Sequence, residues 1–274
     1  MTTKPLLMDE KVLKWMEKPF VFITFFMGTT LLCVMWNSLW QFTLFSYFFW
    51  LSIYTSLKLQ VKHRKFMQKF AEDRGFMFFE TVSIDEVSGK LFSKGTDKKI
   101  KNIIKGLYDT NEFRIFNYSY RIGTGKNSTT YMFTVCDVEI KNTQFPHILL
   151  SSKTMEKYSM LSFFDTTKVT KIKLENDLDN FFTLHCSEGY EIEALQIFTP
   201  ELLDTLKKSG HAYSIEFSEN NIYFYDDLIL RKEPELDLLY LTMKNVIDHA
   251  GPLLHRLHDD FDALHQYSGK NFGM

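Results

Sequence analysis

PFVFITFFMGTTLLCVMWNSLWQFTLFSYFFWLSIYTSL, residues 19–57, contains no Asp, Glu, Lys, Arg or His. As one helix the stretch would reach about 58 Å at ~1.5 Å per residue. A hydrocarbon core is about 30 Å thick, so the block is too long for one crossing and suited to two. It divides at Asn37-Ser38-Leu39-Trp40-Gln41, a polar turn bracketed by Trp36 and Trp40, whose half-wet rings favour a membrane face. Lys4, Lys11, Lys14 and Lys18 precede the block; Lys58, Lys62, Arg64, Lys65, Lys69 and Arg74 follow it. Basic residues on both flanks predict both termini on the cytoplasmic side, which requires an even number of crossings. A cleaved signal peptide does not fit, because the block is too long and lacks a small-residue cleavage site.

The expectation is therefore a multi-pass membrane protein with two spans. Residues 1–18 form a cytoplasmic or interfacial segment, 19–57 a transmembrane helical hairpin, 58–74 a basic juxtamembrane helix, and 75–274 a cytoplasmic α+β domain. No ionisable group lies in the block, so it reads as an anchor and not as an ion path.

Working outward, the 274-residue chain has a formal net charge of −2, which gives no support to a nucleic-acid-binding face. Its three cysteines, Cys33, Cys136 and Cys186, are too few and too scattered for a disulfide framework and read as buried packing thiols. Asn117-Tyr118-Ser119 and Asn127-Ser128-Thr129 match the glycosylation pattern, which a cytoplasmic domain would not use.

Leu7, Val12, Leu13 and Met16 recur at helical spacing, and Lys58–Arg74 continues the second apolar segment as a helix that Gly75 ends. Ile100, Ile103, Ile104 and Leu107 stand at i, i+3, i+4 and i+7, which predicts an amphipathic helix over Asp97–Tyr108. Phe113–Ile122 and Tyr131–Ile140, rich in aromatic and β-branched residues, read as a hairpin around Gly123-Thr124-Gly125-Lys126-Asn127. His147–Ser151, Val169–Leu174 and Phe181–Cys186 read as further strands. Thr199-Pro200-Glu201 is a helix start, with Gly210 its stop. Tyr213–Phe217 and Ile222–Tyr225 form a second hairpin. A last helix begins near Glu235, and Gly251-Pro252 is expected to kink or break it. The fold class expected is α+β: an antiparallel sheet with helices and a long C-terminal helix behind the two-helix transmembrane hairpin, the cytoplasmic part reading as one α+β unit in two lobes that meet near Thr154–Lys168.

The chemistry-bearing candidates are few. The Gly123–Ser128 turn lacks the spacing of a phosphate loop and is followed by a strand, not by a helix N-terminus. His255, His258 and Asp262, with His265 nearby, share a helix face that would suit a metal with an open position. The apolar stripe on the other side makes a solvated face the plainer reading. Glu188, Glu191 and Glu193 gather ahead of the Thr199 helix. Asp226-Asp227 ends a strand, where adjacent residues point apart, so turn formation or edge protection is expected. Cys136 and Cys186 have no adjacent pair of histidine and acid that would make either a nucleophile. Lys58, Lys62, Arg64, Lys65 and Lys69 are candidates for contact with an anionic lipid surface.

Several segments together resemble a bacterial family of uncharacterised membrane-anchored proteins, a family of domains of unknown function. They are Asn102–Gly106, Phe116–Tyr120, the Gly123–Asn127 turn, Phe133-Thr134-Val135, Phe145-Pro146-His147, Ile197–Leu202 and Ile222–Tyr225. The resemblance covers about residues 90–265 and implies architecture: an apolar N-terminal pair of spans, then an α+β domain with a long C-terminal helix. It implies no catalytic residue and no cofactor.

The function expected is a non-enzymatic interaction module that binds a protein partner or an anionic lipid surface, with Tyr118, Tyr120 and Tyr131 as an aromatic recognition face. The alternatives are a membrane-bound enzyme using His255, His258 and Asp262 with a metal, and a structural subunit of a membrane assembly.

Overall fold

The computed structural model describes residues 8–35, 40–84, 87, 89–141, 143–154, 169–210 and 213–270; for residues 19, 22, 26, 32–35, 40–44, 90, 176 and 252–270 this concerns the backbone alone. The chain divides into two compact units, Met1–Lys69 and Phe70–Met274.

The first unit is helical. It contains α1 (Met8–Met16), α2 (Pro19–Met35) and most of α3 (Trp40–Asp73). Phe25 of α2 and Trp50 of α3 stack with ring centroids 5.3 Å apart. Among the described residues no helix is long and apolar enough to cross a membrane. This overturns the two-span hairpin over 19–57, the multi-pass membrane placement and the sidedness inferred for the termini. Absence of charge alone does not make a helix able to span, which also takes length and apolarity. α2 has 17 residues, about 25 Å at ~1.5 Å per residue, which falls short of the ~30 Å core. The uncharged half of α3 is diluted by Ser46, Tyr47, Ser52, Tyr54, Thr55 and Ser56, and lysines follow from Lys58. Residues 36–39, most of the expected turn, lie outside the described residues.

The second unit is a nine-stranded sheet in the order β1-β2-β3-β4-β9-β8-β5-β7-β6, antiparallel throughout. Its strands are β1 (Met77–Val82), β2 (Thr96–Tyr108), β3 (Asn111–Ile122), β4 (Thr129–Glu139), β5 (Phe145–Ser152), β6 (Val169–Ile172), β7 (Phe182–Ser187), β8 (Ser214–Glu219) and β9 (Asn221–Asp226). Its helices are α4 (Glu191–Ile197), α5 (Pro200–Lys208) and α6 (Glu233–Lys270). Both expected hairpins are present. Thr199 caps α5 by accepting from the Leu202 amide at 3.4 Å, with Pro200 in the first turn. α6 runs through Gly251-Pro252 without a break.

The stretch 96–108 is β2 and not the helix that its spacing predicts. Asp97 and Asn102 have φ of 52° and 56°, and the pairing with β3 slips between Thr96 and Lys99 and again between Lys101 and Ile104. Each slip is a bulge whose extra residue sits in the left-handed region, where Asp and Asn are tolerated. Around Asn102 it breaks the two-residue period, so Ile100, Ile103 and Ile104 are all buried.

Leu91 and Phe92, in a short 3₁₀ segment between β1 and β2, cover one face of the sheet. Phe92 lies 4.8 Å from the Tyr118 ring, 5.7 Å from Tyr223 and 6.0 Å from Phe116. The helices pack elsewhere on the sheet: Phe113 meets Tyr240 of α6 at 5.3 Å, and Phe198, at the end of α4, meets Phe217 at 5.7 Å. Residues 155–168, where two lobes were expected to meet, lie outside the described residues.

Candidate functional site

In the helical unit, Lys58, Lys62, Lys65 and Lys69 recur at spacings of four, three and four, which sets them on one face of α3. All four are exposed. Lys62 and Lys69 have no acidic partner among the described residues. Lys58 Nζ stands 5.4 Å from the Tyr54 ring centroid. Large apolar side chains accompany them: Phe20 is 73% exposed, Met27 64% and Phe45 70%, with Phe48, Phe49 and Leu59 also exposed.

Arg64 departs from this face. Its Nη1 lies 2.5 Å from Asp9 Oδ2 and its Nη2 3.0 Å from Glu10 Oε1. Burial raises the Asp9 carboxyl, the Arg64 hydrogen bond and charge pull it down, and the net displacement is below the ordinary value. Arg64, expected to meet lipid, is instead consumed in holding α1 to α3. Lys65 Nζ approaches Glu10 Oε1 at 3.5 Å and stays exposed.

In the sheet unit, the face beneath Phe92 carries two buried polar groups. Tyr225 Oη donates to Glu216 Oε2 at 2.6 Å, and His147 Nε2 lies 2.8 Å from Glu216 Oε1. Glu216 is almost fully buried. Burial and the Glu216 charge push the Tyr225 hydroxyl far above its ordinary range. Across the β3–β4 pair, Arg114 Nε donates to Asp137 Oδ1 at 3.0 Å, and its Nη2 also bonds the carboxylate. Gly89 passes so close that an added Cβ would stand 2.8 Å from Tyr225 Oη. The cluster is enclosed and internally satisfied, which suits a structural role better than proton transfer. Sequence reading missed it, because His147 and Glu216 are far apart in the chain and no local pattern joins them.

The expected sites fare differently. His255, His258 and Asp262 lie on the helical backbone of α6, and their side chains are outside the described residues. Among the described residues no group of three or more His, Cys, Asp or Glu is arranged to hold a metal. Tyr118 and Tyr120 are fully buried in the core, and Tyr131 stacks on Tyr120 at 5.4 Å. Tyr118 and Tyr120 are therefore core and form no recognition face, while Tyr131 is partly buried against them. Asp226 closes β9, its Oδ1 accepting from the Leu228 amide at 2.9 Å. Glu191 is held below its ordinary range by backbone hydrogen bonds and by Thr170. Cys136 and Cys186 are buried free thiols; burial pushes Cys186 up to about 11 and Cys136 well above its usual range, so neither is a nucleophile.

No family model matches the chain, and no curated protein matches it. Among solved structures, the crystal structure of the mycobacterial trehalose monomycolate transport factor A, TtfA, is similar in fold, with a TM-score of 0.51 and 11% identity. The similarity covers 68% of this chain and 93% of that one.

Proposed function

We propose that this protein is a non-enzymatic interaction module that docks on an anionic lipid surface through its helical unit. The observation that carries the reading is the lysine face of α3, Lys58, Lys62, Lys65 and Lys69, beside the exposed apolar side chains of α2 and α3. A helix set against a lipid surface buries apolar side chains at the acyl boundary while its lysines meet anionic headgroups. Such docking requires no crossing, in keeping with the absence, among the described residues, of a helix long and apolar enough to span. A fold neighbour named as a trehalose monomycolate transport factor is in keeping with a binding module, and no cargo is carried over from it.

The test is flotation of the full chain with vesicles of mixed phosphatidylglycerol and phosphatidylcholine. Binding is expected to weaken with salt and to fall at least about tenfold when the four lysines become Gln, at ~1 kcal/mol for each basic residue near the surface. Undiminished binding by the Gln variant at low salt, or equal binding to vesicles of phosphatidylcholine alone, would overturn the reading.

A further inference from the structure

β4 pairs with β3 along its whole length but with β9 only from Thr134 to Glu139. At Asp226 the chain leaves the sheet, and the Thr134 amide donates to the Leu228 carbonyl at 3.2 Å. Thr134 therefore points its backbone groups away from β3. Thr130 and Met132 stand in the same phase of the strand, so their N–H and C=O groups point to that side as well. Among the described residues nothing pairs with them. The half-strand Thr129–Phe133 is thus an open sheet edge, and no bulge or lysine blunts it as sheet edges are usually blunted.

A groove of about 510 Å³ runs along this edge, between Thr130–Met132 on one side and the Asp227–Lys232 segment with Glu235 on the other. Met132 is 54% exposed and Leu228 57% exposed, so the walls offer apolar surface to a side chain lying between them. At the rim, Lys232 is engaged by Glu235 at 3.1 Å. The exposed Arg231 guanidinium has no partner among the described residues. The groove therefore combines unpaired main-chain donors and acceptors, apolar walls and one uncommitted cation.

We infer that this edge receives an extended segment of a protein partner, in which apolar residues alternate with at least one carboxylate. The segment adds a strand to β4 beyond the end of β9. Its main chain pairs with Thr130 and Met132, its apolar side chains pack on Met132 and Leu228, and its carboxylate meets Arg231. Five residues of strand span about 17 Å at ~3.4 Å each, the length of the open half of β4. The inference is independent of lipid docking, which uses other residues.

The experiment adds a capped Val-Asp-Val-Asp-Val peptide to the full, isotope-labelled chain and follows the amides of Thr130 and Met132 by NMR and hydrogen exchange. Both amides are expected to shift and gain protection. Methylating the peptide's amide nitrogens should abolish the effect, and a Val-Lys-Val-Lys-Val peptide or Arg231→Glu should weaken it by about fivefold. Unmoved amides at millimolar peptide, or equal effects from the methylated peptide, would overturn the inference. So would amides already protected in the free chain, since the edge would then be covered by this chain itself or by a second copy.

Discussion

Arg64 on α3 stands 2.5 Å from Asp9 on α1, and its side chain retains only 10% of its exposure. The pair, completed by Glu10 at 3.0 Å, makes Arg64 a structural member of the helical unit while the lysines around it remain exposed. Arg64→Ala leaves Asp9 without its cation and Glu10 with Lys65 alone, and is expected to cost about 2 kcal/mol. That is less than for a fully buried pair, because Asp9 keeps about a third of its surface in water. Helical circular dichroism during urea unfolding would measure this, and vesicle binding by the folded variant should persist.

Asp9 also supplies a pH signature. Its folded-state carboxyl lies below the ordinary value, so its contribution is present above that value and lost as pH falls through the depressed one. Asp9→Asn is expected to remove part of the acid sensitivity of the helical unit, read as a smaller drop in urea midpoint between pH 5 and pH 3.

Asp137 behaves oppositely. Burial raises its carboxyl above the ordinary value, and the Arg114 hydrogen bond and charge only partly offset this. A raised carboxyl stabilises the fold below the ordinary value and loses that contribution as pH rises through the raised one. The advantage of the parent chain over Asp137→Asn should therefore shrink from pH 4 to pH 7 in urea midpoints. A growing advantage would show that Arg114 outweighs burial.

Asn102, at φ of 56°, donates through Nδ2 to Asn117 Oδ1 at 3.1 Å. Asn102→Gly should be nearly neutral, whereas Asn102→Val should cost about 2 kcal/mol, because a β-branched residue resists the left-handed region. Chemical denaturation of the two variants decides this.

Gly89→Ala tests the close approach beneath Phe92. Its Cβ would stand 2.8 Å from Tyr225 Oη, 2.9 Å from Tyr223 and 3.0 Å from Phe92. These rings are fixed by packing, so a loss of about 1–3 kcal/mol is expected in thermal or urea unfolding.

The hairpins around Gly123–Asn127 and Ser218–Asn221 were legible because alternating aromatic and β-branched runs meet turn residues within a few positions. The Thr199 cap and the Gly75 and Gly210 stops were legible for the same local reason. Residues 97–108 misled because a bulge at Asn102 reset the phase of the strand, and four apolar residues then mimicked a helical stripe. The 19–57 block misled because helix length and the dilution by hydroxyl-bearing residues govern membrane crossing as much as charge does.

By itself the sequence determined the two hairpins, the Thr199 cap, the buried character of Cys136 and Cys186, and the lysine spacing along α3, since each depends on a pattern within one element or between adjacent ones. Only the tertiary structure decided that Arg64 is taken up by Asp9, that Glu216 gathers Tyr225 and His147, and that β9 ends early enough to leave Thr130 and Met132 without a ladder partner on that side among the described residues. Those outcomes rest on which distant segments become neighbours and where a ladder stops. Strand order and register set both, and no short stretch of residues encodes them.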